Sequence, residues 1–343
     1  MVGRHPQTNV GYINRTCVEV YQTPNEDSET SEEDEHPAEC IIDHLAVQQG
    51  LDKFDNLPCD DINQCMRTFG KKGKGVGEFQ DATDVTCMPR GKVLVTDMIN
   101  SRIQLCLKNG NAYAVYKGEE FPEPWATCLT PSGDFAMTSR KRKCVIIVSQ
   151  EGEILWSFGT GYFECPSGVV TNKNHDFIVS DVFTNRVSIH DKSGQFIKYI
   201  GNPKIKEQQF SKPRYVCVSV FNDIIVSDSG HHCIKIFDEN GHYLRSVGRF
   251  GKMCGQLKTP YGICTDNLGH VLVADHYNNR VSMFTRDGAF MCHVVDEQHG
   301  VIHPKGIALS NDLDLYITTG NLKAYEIKVF KLKCTDPTVI ANV

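Results

Sequence analysis

GKVLVTDMINSRIQL at 91–105, DFIVSDVFTNRVSIH at 176–190 and HVLVADHYNNRVSMF at 270–284 are three versions of one unit. In each, an apolar strand closes on Asp, a short polar turn follows, and a second strand opens with Arg and a β-branched residue. The closing Asp falls at Asp97, Asp181, Asp228 and Asp275, giving steps of 84, 47 and 47 residues, where 84 is two steps of 42. Ser139 occupies the missing midpoint. A sixth, worn copy, DLDLYITTG at 312–320, places Thr319 in the Asp column, 44 residues after Asp275. Self-similarity at this period denotes a stacked or circular array of small sheets.

The fifth copy resolves into four β segments near 262–265, 270–275, 280–284 and 289–294, separated by turn signals at 267–269, 278–279 and 287–288. No repeat carries an apolar run of helical period long enough for a helix, so helical solenoids are excluded. The expected fold is all-β: a six-bladed β-propeller with repeats at about 70–116, 117–158, 159–200, 201–247, 248–294 and 295–333. The last copy supplies only three strands, near 305–309, 313–318 and 325–331, and 334–343 reads as a tail. Its fourth strand is assigned to 62–69 (INQCMRTF), which closes the ring by hydrogen bonds between the two ends of the domain and protects otherwise open sheet edges there, so that the domain spans 61–343.

The formal net charge of -6 is unevenly divided. Residues 1–66 carry Arg4, Arg15 and Lys53 against fourteen acidic side chains, a net of -11, which leaves 33 − 28 = +5 on the remainder. The run NEDSETSEEDEHPAE at 25–39 has one Ala as its only aliphatic residue, so residues 1–60 are expected to be a mostly disordered, acidic segment. A mildly basic folded part suits a local anion-binding surface rather than a dedicated duplex-DNA binder. The fifteen cysteines fall chiefly inside expected strands and read as free thiols. The first twenty residues hold no continuous apolar stretch and no segment approaches membrane-spanning length, so a reducing, cytoplasmic setting without membrane contact is expected. Cys17, His36, Cys40, His44, Cys59 and Cys65 include no Cys-x-x-Cys pair, so neither a metal site nor a cofactor is expected.

FGKMCGQLKTPYGICTDNLGHVLVADHYNNRVSMFTRDG at 250–288 combines a Gly-rich connection, Pro and Gly opening the first strand, apolar-Val-x-Asp closing the second, and Asn-x-Arg-Val opening the third. This combination, begun again in FGKKGKGVGEFQDATDV at 69–85, resembles NHL repeats. Among NHL proteins the chain is similar to the propeller of the TRIM-NHL group of ubiquitin ligases and messenger-RNA regulators. The RING finger, B-box and coiled coil of that group would lie upstream, and residues 1–66 lack the Cys/His spacing they need. The resemblance implies a non-enzymatic recognition platform, leading with single-stranded or stem-loop RNA in post-transcriptional regulation. Its alternative is a protein-binding propeller that selects substrates or partners for a ubiquitin ligase. Any ligase activity would then belong to a longer form or to a ubiquitin-pathway partner.

Asp97/Arg102, Asp181/Arg186 and Asp275/Arg280 are each five residues apart across a tight turn, and are expected to be structural ion pairs, with Asp228 in the same column. Cys144 and Cys233 stand where Arg is expected, so those turns must be held in another way. His231, His232 and His276 lie in turns and are expected to be exposed; no ring of His, Glu and Asp recurs at the inner-strand starts, which argues against a metal-dependent enzyme.

In a propeller the inter-blade connections share a face with the turns between second and third strands. That face gathers Lys71, Lys72, Lys74, Arg140, Lys141, Arg142, Lys143, Arg214, Arg249, Lys252, Lys305 and Lys323. Trp125, Tyr215, Tyr261 and Tyr277 interleave with them as expected exposed rings. Cations neutralise phosphates while rings stack on unpaired bases, so this face is the candidate surface for RNA or a protein partner. Trp125, Arg214, Tyr215, Tyr261 and Lys305 are expected to surround the channel mouth.

Overall fold

The structure, a computed structural model, describes residues 17–20 and 65–332. The acidic run at 25–39, the Cys and His residues between 36 and 59, and the tail from 334 lie outside the described residues. Six small antiparallel sheets follow one another along the chain. The first holds β3 (Ala82–Cys87), β4 (Val93–Asp97), β5 (Arg102–Cys106) and β6 (Ala112–Lys117); the second β7 (Pro124–Leu129), β8 (Phe135–Ser139), β9 (Cys144–Val148) and β10 (Ile154–Phe158). The third holds β11 (Pro166–Thr171), β12 (Phe177–Asp181), β13 (Arg186–His190) and β14 (Phe196–Ile200); the fourth β15 (Pro213–Val218), β16 (Ile224–Asp228), β17 (Cys233–Phe237) and β18 (Tyr243–Val247). The fifth holds β19 (Pro260–Thr265), β20 (Val271–Asp275), β21 (Arg280–Phe284) and β22 (Phe290–Val295). The sixth has β23 (Ile307–Leu309), β24 (Asp314–Thr319) and β25 (Glu326–Lys331), and β2 (Cys65–Phe69) pairs antiparallel with β25 as its outer strand.

Burial follows the ring. β4, β8, β12, β16 and β20 are buried at every position, because a neighbouring sheet covers each of their faces. β10, β14 and β18, on the periphery, are largely half-buried or exposed. Between the first two sheets the core is Leu94, Ile103, Tyr116, Phe121, Phe135 and Ile146, with the rings of Tyr116 and Phe135 5.7 Å apart. Around the axis the inner strands approach so closely that glycine is required. A Cβ on Gly262 would lie 2.4 Å from the Lys305 carbonyl oxygen, and one on Gly306 2.5 Å from Asp84 Cα.

Each of the inner strands β3, β7, β11, β15 and β19 breaks register just after its first residue, leaving a backbone N–H without a ladder partner. In the second, third, fourth and sixth blades a hydroxyl one position before the Asp column accepts from an N–H at the start of the inner strand. Thr138 accepts from Ala126 N at 3.1 Å, Ser180 from Gly168 N at 2.9 Å, Ser227 from Tyr215 N at 2.9 Å and Thr318 from Gly306 N at 2.8 Å. Thr138 and Ser180 also donate to the next sheet, to the Ser167 and Arg214 carbonyls at 2.7 and 3.1 Å, so one side chain links adjacent blades.

One element falls within the segment 1–60 that was expected to be mostly disordered. β1 (Cys17–Val20) pairs antiparallel with β6, from Cys17 opposite Lys117 to Val20 opposite Ala114, and makes the first sheet five-stranded. The outer edge of β6 offers unpaired backbone groups, and the β-branched residues at 18 and 20 favour extended chain.

Candidate functional site

The Asp column ties each second-to-third-strand turn to the connection arriving from the previous blade, which puts both on one face. Asp97 accepts from Gln80 N at 3.0 Å, Asp181 from Glu164 N at 2.7 Å, Asp228 from Ser211 N at 2.6 Å and Asp275 from Lys258 N at 2.6 Å. In the first and fifth blades the partner Arg completes a clamp. Arg102 Nε donates to Asp97 at 3.0 Å while its terminal nitrogens donate to the carbonyls of Lys74, Gly75 and Glu78. Arg280 repeats this with Asp275 at 2.8 Å and the carbonyls of Lys252, Met253 and Gln256.

The third blade departs from expectation. Asp181 spends its oxygens on the N–H groups of Glu164, Cys165, Phe183 and Thr184, and Arg186 turns away to Tyr199, so no Asp181–Arg186 ion pair forms. The fourth blade replaces the missing Arg with Lys235, two residues on and therefore on the same side of the strand. Lys235 lies buried, 3.2 Å from Asp228, and donates to the carbonyls of Glu207 and Gln209. Ser139 and Thr319 hold the second and sixth blades, donating to the carbonyls of Pro122 and Ile302 at 2.7 and 2.6 Å.

At the axis, the expected mouth residues do converge, but the rings are not exposed. Trp125, Tyr215 and Tyr261 are buried, with Tyr215 6.4 Å from each of the other two. Six inner strands crowd the axis, so rings placed there pack on one another instead of standing in solvent. Tyr215 reaches across the channel and its hydroxyl donates to the Thr83 carbonyl of the first blade, making a floor beneath the mouth. His276, expected in an exposed turn, is buried: its ring stacks on Tyr261 at 4.1 Å and 9°, and Nδ1 contacts the Pro304 carbonyl at 3.1 Å. Burial pushes His276 down to about 4, helped by the nearby cations Lys305 and Arg214. Lys305 is also buried and is paired with Asp81 at 2.5 Å, so it adds no free charge.

Two arginines remain uncompensated. Arg140 lies 3.3 Å over the Trp125 ring, and Arg214 lies 4.4 Å over Tyr261 and 5.9 Å from Trp125. Arg140 Nε and Nη2, Arg214 Nε and Trp125 Nε1 are shielded from solvent and have no hydrogen-bond partner among the described residues. No carboxylate pairs with either arginine among the described residues. Burial, with repulsion from Arg214, holds Arg140 below the usual arginine value.

Away from the axis, Lys71 pairs with Glu78 at 3.3 Å and Lys143 with Glu164 at 2.5 Å. Lys72, Lys74, Lys141, Arg142, Arg249, Lys252 and Lys323 are exposed on the same face, Arg142 donating to the Glu119 carbonyl. Tyr277 is 47% exposed, and Phe183, Phe250 and Tyr162 are 75%, 63% and 55% exposed. These, rather than the mouth rings, are the stacking surfaces within reach.

Residues 210–237 and 257–284 match a family model described as NHL repeat. The six-bladed ring carries NHL repeats in its fourth and fifth blades. The NHL propeller is similar to the protein brain tumor of Drosophila melanogaster, 28% identical over 145 residues, covering 40% of this chain and 14% of that protein. It is also similar to the B-box type zinc finger protein ncl-1 of Caenorhabditis elegans, 32% identical over 155 residues, covering 43% of this chain and 17% of that protein. The chain thus spans less than a fifth of the length of these curated relatives. Among solved structures, a streptogramin B lyase superposes with a TM-score of 0.58 at 15% identity, covering 78% of this chain and 87% of that one. A putative gluconolactonase gives 0.60 at 14% identity, covering 77% and 92%. At such identities the likeness is one of fold, and catalysis does not travel with a fold. Among the described residues, no group of three or more His, Cys, Asp or Glu side chains is placed to hold a metal ion, and no helix is long and apolar enough to cross a membrane.

Sequence reasoning missed Lys235 and the hydroxyl column. Both carried a signal: Thr96, Thr138, Ser180, Ser227 and Thr318 precede the Asp column in five of six repeats. Lys235 stands two residues after the column where Arg is absent.

Proposed function

We propose that this NHL propeller is a non-catalytic platform whose channel mouth binds the phosphodiester backbone of single-stranded or looped RNA. The carrying observation is the pair of guanidiniums, Arg140 and Arg214, held over Trp125 and Tyr261 with N–H groups that have no acceptor among the described residues. A shielded cation without a counter-charge is costly, and an oxyanion with two acceptors in one plane relieves that cost. The floor made by Tyr215 keeps such a ligand at the surface. Exposed cations on the surrounding loops extend the field, and Phe183, Phe250 and Tyr277 offer faces to unpaired bases. The setting we assign is cytoplasmic.

Fluorescence anisotropy with a random single-stranded RNA pool tests this reading across a salt series. Wild type is expected to weaken steeply with salt, while Arg140→Ala with Arg214→Ala lowers low-salt affinity about tenfold or more and flattens the salt slope by about 1.4, roughly 0.7 per lost phosphate contact. Absence of wild-type binding at low salt would overturn it.

A second reading, selection of protein partners for ubiquitin ligation, draws on the fifth connection, where Phe250 and Met253 are 63% and 66% exposed. Neighbouring exposed apolar side chains are suited to a partner's pocket. In that case Phe250→Ala with Met253→Ala abolishes partner recovery from cells after RNA digestion, and Arg140→Ala does not.

A further inference from the structure

Arg186 occupies the clamp position of the third blade, yet it has nothing to clamp. The connections gripped by Arg102 and Arg280 are twelve residues long, 70–81 and 248–259, and fold their carbonyls back over the arginine. The connection into the third blade is seven residues, 159–165, too short to return over its own strand. Where the longer loops lie elsewhere there is here a shallow, solvent-open recess, lined by Tyr162, Thr184, Arg186, His190, Phe196 and Tyr199. Arg186 is exposed and makes only a 3.4 Å contact to the Tyr199 hydroxyl, with its guanidinium 4.9 Å from that ring.

The walls are aromatic. Tyr162 and Phe196 stack at 5.6 Å and 14°, and Phe196 and Tyr199 are 4.8 Å apart. Tyr162 and Tyr199 remain 55% and 41% exposed. Beneath them His190 is buried and bonded to Ser188 at 2.9 Å, so the base of the cleft is fixed. One hydrogen bond ties the turn beside this cleft to the connection that leads to Arg214. Lys212, two residues before Arg214, donates its backbone N–H to Asn185 at 2.7 Å, and Asn185 precedes Arg186. Cations at 214, 212 and 186 therefore mark one path from axis to rim.

We propose that this cleft is a second nucleotide subsite on the same RNA, in which a phosphate takes the acceptor role that loop carbonyls play for Arg102 and Arg280, and a base stacks on Tyr162. The inference rests on the reading of the mouth as an RNA site, and it adds a direction: the strand leaves the axis over the fourth connection and ends on the third blade.

Anisotropy of the full chain with a labelled random tetranucleotide and a labelled random dodecanucleotide distinguishes the two claims. The expected result is that Arg186→Ala and Tyr162→Ala each weaken the dodecanucleotide about tenfold, as for one lost stack or charge contact, and leave the tetranucleotide unchanged. Arg186→Gln provides the check on folding, since it removes charge while keeping bulk. Wild type binding neither oligonucleotide overturns the mouth reading and this inference with it. Wild type binding the longer one, with all three variants equal to it, overturns the outer subsite alone.

Discussion

Asp84 and His276 have pKa values shifted by the same crowding at the axis, with opposite consequences for stability. Burial pushes the Asp84 carboxyl up to about 7, although it accepts from Thr127 N at 3.0 Å. Its folded value lies above the unfolded one of about 3.9, so the folded state holds the extra proton and stability falls as pH rises through that window to about 7. His276, pushed down to about 4, works the other way: the unfolded chain takes the proton first, and stability falls as pH drops from about 6.5 towards 4. The two slopes offset each other in wild type. Asp84→Asn is expected to gain on the order of 1–3 kcal/mol at about pH 8, nothing near pH 4, and to become visibly more acid-sensitive in urea unfolding. A stability difference from wild type that stays constant with pH would refute the raised carboxyl. The positions of the mouth residues were legible from the repeat, since each follows the Pro column or its equivalent. Their burial was not, because a strand pattern tells which way a side chain alternates and not how near the opposite strand stands.

The Asp-x-x-x-x-Arg turn shows how one motif gives different outcomes when its surroundings change. Arg280 is buried with Asp275 and three carbonyls, so Arg280→Ala strands a carboxylate and several acceptors and is expected to cost about 3–5 kcal/mol. Arg186→Ala, at the equivalent place, is expected to cost less than about 0.5 kcal/mol because its contacts are exposed. Parallel urea melts check both, and equal losses would contradict the missing clamp. The difference was present in the chain as loop length. Twelve residues at 70–81 and 248–259 against seven at 159–165 separate a gripped arginine from a free one. Motif matching ignores it because the carbonyls that decide the matter belong to a segment with no side-chain signature. The inter-blade hydroxyls were hidden differently: Ser and Thr are ordinary in strands, and only the bulge that orphans an inner-strand N–H gives them a task.

At the scale of the molecule, blade number and four-strand blades followed from periodicity, since two-sided burial demands an unbroken apolar second strand in every copy. β1 did not follow, because four residues in polar surroundings carry too little pattern to distinguish a strand from coil. Ring closure through β2 makes both ends of the domain necessary. Removal of 65–69 bares the whole outer edge of β25 and is expected to give aggregated protein by size-exclusion chromatography, with the cooperative thermal transition lost. A soluble monomer with an unchanged melt would count against closure as the source of stability. The pairing of β2 with β25 also sets a timetable for biosynthesis. Phe69 leaves the ribosome 257 residues before Glu326 (326 − 69), a wait of roughly 13 to 50 s at ordinary elongation speeds of about 5–20 residues per second. Throughout it β2 is made and unmatched, so a nascent chain stalled before residue 326 holds five finished blades and a loose end, the species on which a holding chaperone would act.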